Sequence, residues 1–141
     1  MSKHNRGRQN QQQRNPNRPI ELIVREPYYT QIDKGEKTIE GRVAYPWLDR
    51  AKEGMSLNFK RYPQDPRIIR CVIDWVMRSP DFENALLDVE WQKAIPEVER
   101  FDDALAIYEK IYPEEKVKEI GGVIMLGFTK QGVTGEGGDN A

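Results

Sequence analysis

The sequence predicts a small α+β domain built on a curled, barrel-like sheet, and three observations carry that prediction. Short apolar runs with strand-like alternation recur between residues 20 and 79, separated by irregular loops. After Pro80 the apolar spacing changes from a period of two to the period of a helix. A last apolar run, "GGVIMLGF" at 121–128, returns to strand chemistry behind two glycines. Domains commonly run about 100–150 residues, so a chain of 141 has length for one domain with extensions.

Taken in order, "IELIV" at 20–24 reads as a short strand. "EPYYTQIDKG" reads as a short helix, with Pro27 in its first turn and Gly35 at its stop. "KTIEGRV" returns to strand, and "MSLNFKRY" at 55–62 alternates with Leu57 and Phe59 as its apolar members. "RIIRCVIDWVMRS" places Ile69, Cys71, Ile73, Trp75 and Met77 on one face by strict alternation. Then "DFENALLDVEWQKAI" reads as one helix, and "RFDDALAIYEKIY" as a second. The second has an apolar stripe of Phe101, Ala104, Leu105, Tyr108, Ile111 and Tyr112, ended by Pro113. The body is expected over residues 20–130. Residues 1–19 form a basic Gln/Asn/Arg-rich arm with too little apolar surface to fold, and 131–141 a flexible Gly-rich tail.

The net charge of −1 conceals a segregation. Residues 1–19 carry +5, 20–80 carry +2, 81–119 carry −7 and 120–141 carry −1. Polyanion binding is therefore expected of the first two segments and not of the third. No apolar run approaches the roughly 18–20 residues that span a bilayer, and no hydrophobic segment follows the charged N-terminus. These features point to a cytoplasmic protein without membrane attachment. The single cysteine, Cys71, reads as a small buried hydrophobe. The sole histidine, His4, lies in the arm, and no Cys/His/Asp cluster has metal-ligand spacing, so neither a metal nor a cofactor is expected. The acidic runs "ERFDD" and "PEEKVKE" read as solvated helix faces.

The stretch "GEKTIEGRV" at 35–43 stands apart. In a regular strand Thr38, Glu40 and Arg42 share one face, and Lys37, Ile39, Gly41 and Val43 the other. A polar face of this kind either meets solvent or lines a wet cleft, where the charges must satisfy one another or a ligand. Arg42 suits a planar contact to a phosphate or base edge. Glu40 can orient it or accept from an exocyclic amine, and Lys37 can meet phosphate as a point charge. Tyr28, Tyr45 and Trp47 are candidates for stacking on a base, with core or cleft-wall packing as the competing role of Tyr28 and packing under a loop that of Trp47.

The order of these pieces, "GEKTIEGR", then a Gly-turn and strands, then "AIPEVERFDDALAIYEKIYP" and "GGVIMLGF", resembles the ASCH domain family of the PUA-like superfamily. The resemblance spans about residues 20–129 and implies a small PUA-like mixed β-barrel with helices packed at one side. It also implies work on RNA or on a modified nucleoside at a cleft beside the second strand. Relatives in the family bind RNA or DNA, some cleave RNA, and a short bacterial branch deacetylates N4-acetylcytidine. In that branch the lysine of the motif is the proposed nucleophile or base, a threonine follows three positions later, and a glutamate lies further on. Here Lys37 matches, but Glu40 stands at the threonine position, and Glu97 is the nearest match to the downstream glutamate by ungapped counting back from "IYP". A carboxylate beside Lys37 favours ammonium over the neutral amine that attack requires. The motif therefore reads as built to bind RNA or a nucleoside. A small hydrolase acting on an N4-acetylcytidine-type nucleoside or, as a ribonuclease, on RNA with Lys37 and Glu40, and a regulatory or protein-interaction domain with a purely structural Glu40–Arg42 pair, are the alternatives.

Overall fold

A computed structural model of the chain describes residues 17–135. The expectations for residues 1–16, His4 among them, and for 136–141 lie outside the described residues.

Five strands form one mixed sheet in the order β1-β3-β4-β5-β2, curled into a half-barrel. They are β1 (Ile20–Ile23), β2 (Ile39–Val43), β3 (Ser56–Lys60), β4 (Ile68–Ser79) and β5 (Val123–Thr134). β1 pairs with β3 in parallel, and the remaining pairs are antiparallel. The helices among the described residues are α1 (Tyr28–Asp33), α2 (Phe82–Leu87), α3 (Phe101–Ile111) and α4 (Glu114–Ile120). No helix among them is long and apolar enough to cross a membrane.

The sheet separates two cores. Inside the curl lie Ile20, Leu22, Leu57, Phe59, Ile69, Cys71 and Ile73 with Ile124, Leu126 and Phe128. On its other face Val123 and Met125 meet Phe82, Leu86, Ala104 and Tyr108 from the helices. β5 is thus buried on both faces, which is why its sequence is a continuous apolar run. α1 ends where Gly35 adopts φ +82°, a conformation that favours glycine, and its N–H returns to the Ile32 carbonyl at 3.1 Å.

Four expectations are corrected. The strict alternation along β4 fails after Ile73, because Ile73 pairs with Phe128 and Trp75 with Gly127, leaving Asp74 as an extra residue in a bulge. One inserted residue inverts the parity. Ile69, Cys71 and Ile73 therefore enter the inner core, whereas Trp75 and Met77 pack with the helices. The Trp75 indole lies over Gly127 of β5, in the space a side chain there would need. Second, the helix begun at Phe82 and capped by the Asp81 carboxylate, which accepts from the Asn84 N–H at 2.8 Å, stops at Leu87. A separate 3-10 turn, Trp91–Lys93, sets Trp91 edge-on to Phe101 at 6.1 Å. A continuous helix would carry Trp91 about 140° away from Leu86 and out of that core. Third, Ile111 is not covered by the stripe of α3 but is 43% exposed. Fourth, β5 continues past Lys130 to Thr134, because β4 is long enough to pair with it down to Ile68.

Candidate functional site

The half-barrel is open between its edge strands, β1 and β2. At this opening lies a cavity of about 140 Å³, with Ile23, Val24 and Arg25 on one side and Glu40, Gly41 and Arg42 on the other. Tyr28, Lys37, Ile95 and the α3 end, Tyr108, Ile111 and Tyr112, complete it.

Glu40 and Arg42 share the strand face whose cross-strand partners on β5 are Leu126 and Ile124 of the inner core. They therefore project into the gap between the edges. Arg42 Nε donates to Glu40 Oε2 at 2.6 Å, and its Nη2 donates to the Ile23 carbonyl of β1 at 2.8 Å. The guanidinium thus bridges the two edges that no backbone ladder joins. Its Nη1 has no protein partner among the described residues.

Lys37 does not occupy the opposite face from Glu40, as alternation predicts. β2 begins only at Ile39, and before it the backbone turns back on α1, with the Glu36 and Lys37 N–H groups both donating to the Gln31 carbonyl. The Lys37 side chain runs beneath the strand and is only 2% exposed. Its Nζ lies 2.7 Å from the Ile39 carbonyl, 2.7 Å from the Ala94 carbonyl and 3.0 Å from Glu40 Oε1. Three acceptors match the three protons of an ammonium, whereas a neutral amine would leave one acceptor short of a donor. Burial pushes the Lys37 pKa below its ordinary value, and the Glu40 carboxylate opposes that push. For Glu40, burial pushes upward, but Lys37 and Arg42 outweigh it and hold the carboxyl below its usual range. The cluster is therefore cation–anion–cation with a net charge of one positive unit. Burial, which local sequence does not encode, thus acts on Lys37 with the opposite sign to the neighbouring carboxylate.

Tyr28 lies with its ring 5.3 Å from Lys37 Nζ and donates its hydroxyl to Glu97 Oε2 at 2.8 Å. Gln31 Nε2 donates to the other Glu97 oxygen at 3.1 Å. Glu97 is thereby fixed, exposed, at the cavity rim. Burial raises the pKa of the Tyr28, Tyr108 and Tyr112 hydroxyls, so all three remain protonated near neutral pH.

The expected set is only partly gathered here. Lys37, Glu40, Arg42 and Tyr28 converge at this cavity. Thr38 belongs to a separate hollow with Trp75, Asp74 and Lys93, since its N–H donates to the Lys93 carbonyl and turns the residue away. Trp47 is 53% exposed in a shallow surface pocket beside Arg18, Pro19 and Arg50, and Tyr45 packs against the helix-side core. Sequence reasoning missed Tyr108 and Tyr112 as cleft walls, having placed them wholly in a core stripe. Their hydroxyls on an apolar face, four residues apart, were the available signal. It also missed Gly41, which is glycine because a Cβ there would lie 3.0 Å from the Tyr108 hydroxyl and 2.9 Å from Met125 Sδ.

A small curled mixed sheet with a charged cleft at its open edge defines the architecture, and the comparisons with known proteins agree on the fold. The ASCH domain pattern matches residues 22–131, and the chain belongs to the ASCH domain family. It is similar in fold to a crystal structure titled hypothetical protein PH0355, with TM-score 0.69 and 21% identity over 80% of this chain and 99% of that one. It is also similar to the solution structure of protein PF0455 from Pyrococcus furiosus, with TM-score 0.60 and 20% identity over 79% and 96% of the two chains. No curated protein matches the chain.

Proposed function

We propose that this protein binds single-stranded RNA, or a modified nucleoside, in the cleft between β1 and β2, and does so in the cytoplasm. The observation that carries the reading is the division of labour between the two cations. All three Lys37 protons are spent on protein acceptors, while the Arg42 guanidinium is fixed by Glu40 and the Ile23 carbonyl with Nη1 left over. A preoriented guanidinium beside aromatic walls suits a phosphate or a base edge. The cavity, about 140 Å³, is well below the roughly 300–1,000 Å³ of drug-sized pockets, so it suits one base or a small group on it. Membership of the ASCH family, which is associated with RNA, supports the same reading. The five cations of residues 1–19 would add attraction for phosphate that does not depend on sequence.

The test is the affinity of short single-stranded RNAs and free nucleosides for the wild type and for Arg42→Ala. Loss of a charge-assisted contact is expected to weaken binding by about 1.5–3 kcal/mol. An unchanged affinity would remove the cleft from the function. One observation favours a hydrolase as a second reading, namely that Lys37 is only 2% exposed, since burial disfavours the charged form of an amine. Turnover of N4-acetylcytidine by the wild type, lost in Lys37→Arg, would establish that alternative.

A further inference from the structure

Strand alternation gives β1, β3 and β4 an inner face, with Leu22, Phe59 and Ile69 buried, and an outer face on which Ile23 and Arg70 are exposed and Asn58 and Lys60 half-buried. On the outer face Ile23 stands opposite Lys60. Phe59 pairs with Ile69, so Lys60 and Arg70 are diagonal neighbours, a relation that sets residues about 7–8 Å apart. The Val24 N–H donates to the Lys60 carbonyl at 2.8 Å, which continues the pairing past the end of β1 and brings exposed Arg25 diagonal to Lys60 on its other side. Ile23 and Arg25 also line the cleft. Arg25, Lys60 and Arg70 therefore form one row that starts at the cleft mouth and crosses three strands.

Pairing distinguishes this row from other cations nearby. Arg61 is bound to Asp65, Arg67 to Asp33, Arg78 to Asp49 and Lys130 to Asp33. Arg25, Lys60 and Arg70 have no ion-pair partner among the described residues. Glu21 lies on the same outer face, two residues before Ile23, in register with Arg70 through Asn58 and beside Arg18 and Arg50, but forms no ion pair with Arg70. Between the cations Ile23 is 45% exposed and offers an apolar contact.

We propose that the outer face of β1, β3 and β4 is a phosphate-contacting strip, through Arg25, Lys60 and Arg70, along which single-stranded RNA leaves the cleft. Unpaired cations on a rigid sheet meet the backbone without first breaking an internal ion pair, and each phosphate they neutralise releases a counterion. This inference rests on the RNA reading of the cleft and adds a path to it. A nucleoside monophosphate would occupy the cleft alone, whereas a longer strand would also use the strip.

The experiment compares the wild type, Lys60→Ala/Arg70→Ala and Arg42→Ala, each with a nucleoside monophosphate and with an oligouridylate of about 12 nucleotides, across a salt titration. In the double variant the slope of log affinity against log salt for the oligomer is expected to fall by about 1.4, at ~0.7 per contact. Its monophosphate affinity and thermal midpoint are expected to stay at wild-type values. An unchanged oligomer slope would overturn the strip, and the cleft reading would stand if Arg42→Ala still weakened both probes. If the double variant weakened the monophosphate equally, its residues would be acting on the cleft, and the strip would again be overturned. If Arg42→Ala altered neither probe, the cleft reading itself would fall, and with it the strip as its continuation.

Discussion

Gly41 lies so close beneath Tyr108 that a Cβ added to it would stand 3.0 Å from the tyrosine hydroxyl and 3.1 Å from its ring. Tyr108 cannot retreat, because its far face stacks on Phe82 at 4.6 Å in the helix-side core. Gly41→Ala should therefore destabilise the fold by about 1–3 kcal/mol through overpacking, and weaken ligand binding as the tyrosine wall shifts. Chemical denaturation and a binding titration check both effects. A variant with wild-type stability would mean that the helix is not held against β2 in this way.

Glu40→Gln should be costly for a different reason. Removing the anion leaves Lys37 and Arg42 as buried like charges, and breaking a buried pair typically costs about 3–5 kcal/mol. The same residue sets a pH dependence. Its carboxyl is held below the ordinary 4.5, so the folded state binds fewer protons there than the unfolded chain. The stabilisation it provides is complete above pH 4.5 and is lost as pH falls through its folded value. The stability gap between wild type and Glu40→Gln should accordingly be widest near neutrality and shrink on acidification. A gap independent of pH would contradict an ionised Glu40.

Lys37 should resist acylation. With its ammonium enclosed and triply bonded, an amine-acylating reagent applied to the native protein should label exposed Lys34 and Lys52 and spare Lys37 until the chain unfolds. Mass spectrometry of the labelled peptides reads this directly. Modification of Lys37 at the rate of Lys52 would show an accessible amine and favour the hydrolase reading.

Cys71 should behave as an inert core residue. Burial pushes its thiol up to about 12, and it is 1% exposed inside the curl of the sheet. Thiol titration should find almost no reaction in the native state and one reactive group in denaturant. Rapid native labelling would mean that the inner core opens readily.

What the sequence determined by itself was the strands, α1, α3 and the motif. Each strand is a local alternation or apolar run, and α3 is a stripe repeated at its own period, so neighbouring residues suffice to specify them. The family resemblance was legible for the same reason, since it rests on short motifs in a fixed order. Tertiary structure decided what local pattern does not encode. Alternation placed Lys37 opposite Glu40, but the turn against Gln31 before β2 brought their side chains to 3.0 Å. A single bulged residue, Asp74, sent Trp75 and Met77 to the other core. Arg42 bridges to Ile23, nineteen residues away, only because the sheet order leaves β1 and β2 as facing edges. Strand pairing over long sequence separations depends on every intervening loop at once, and no window of neighbouring residues contains that information.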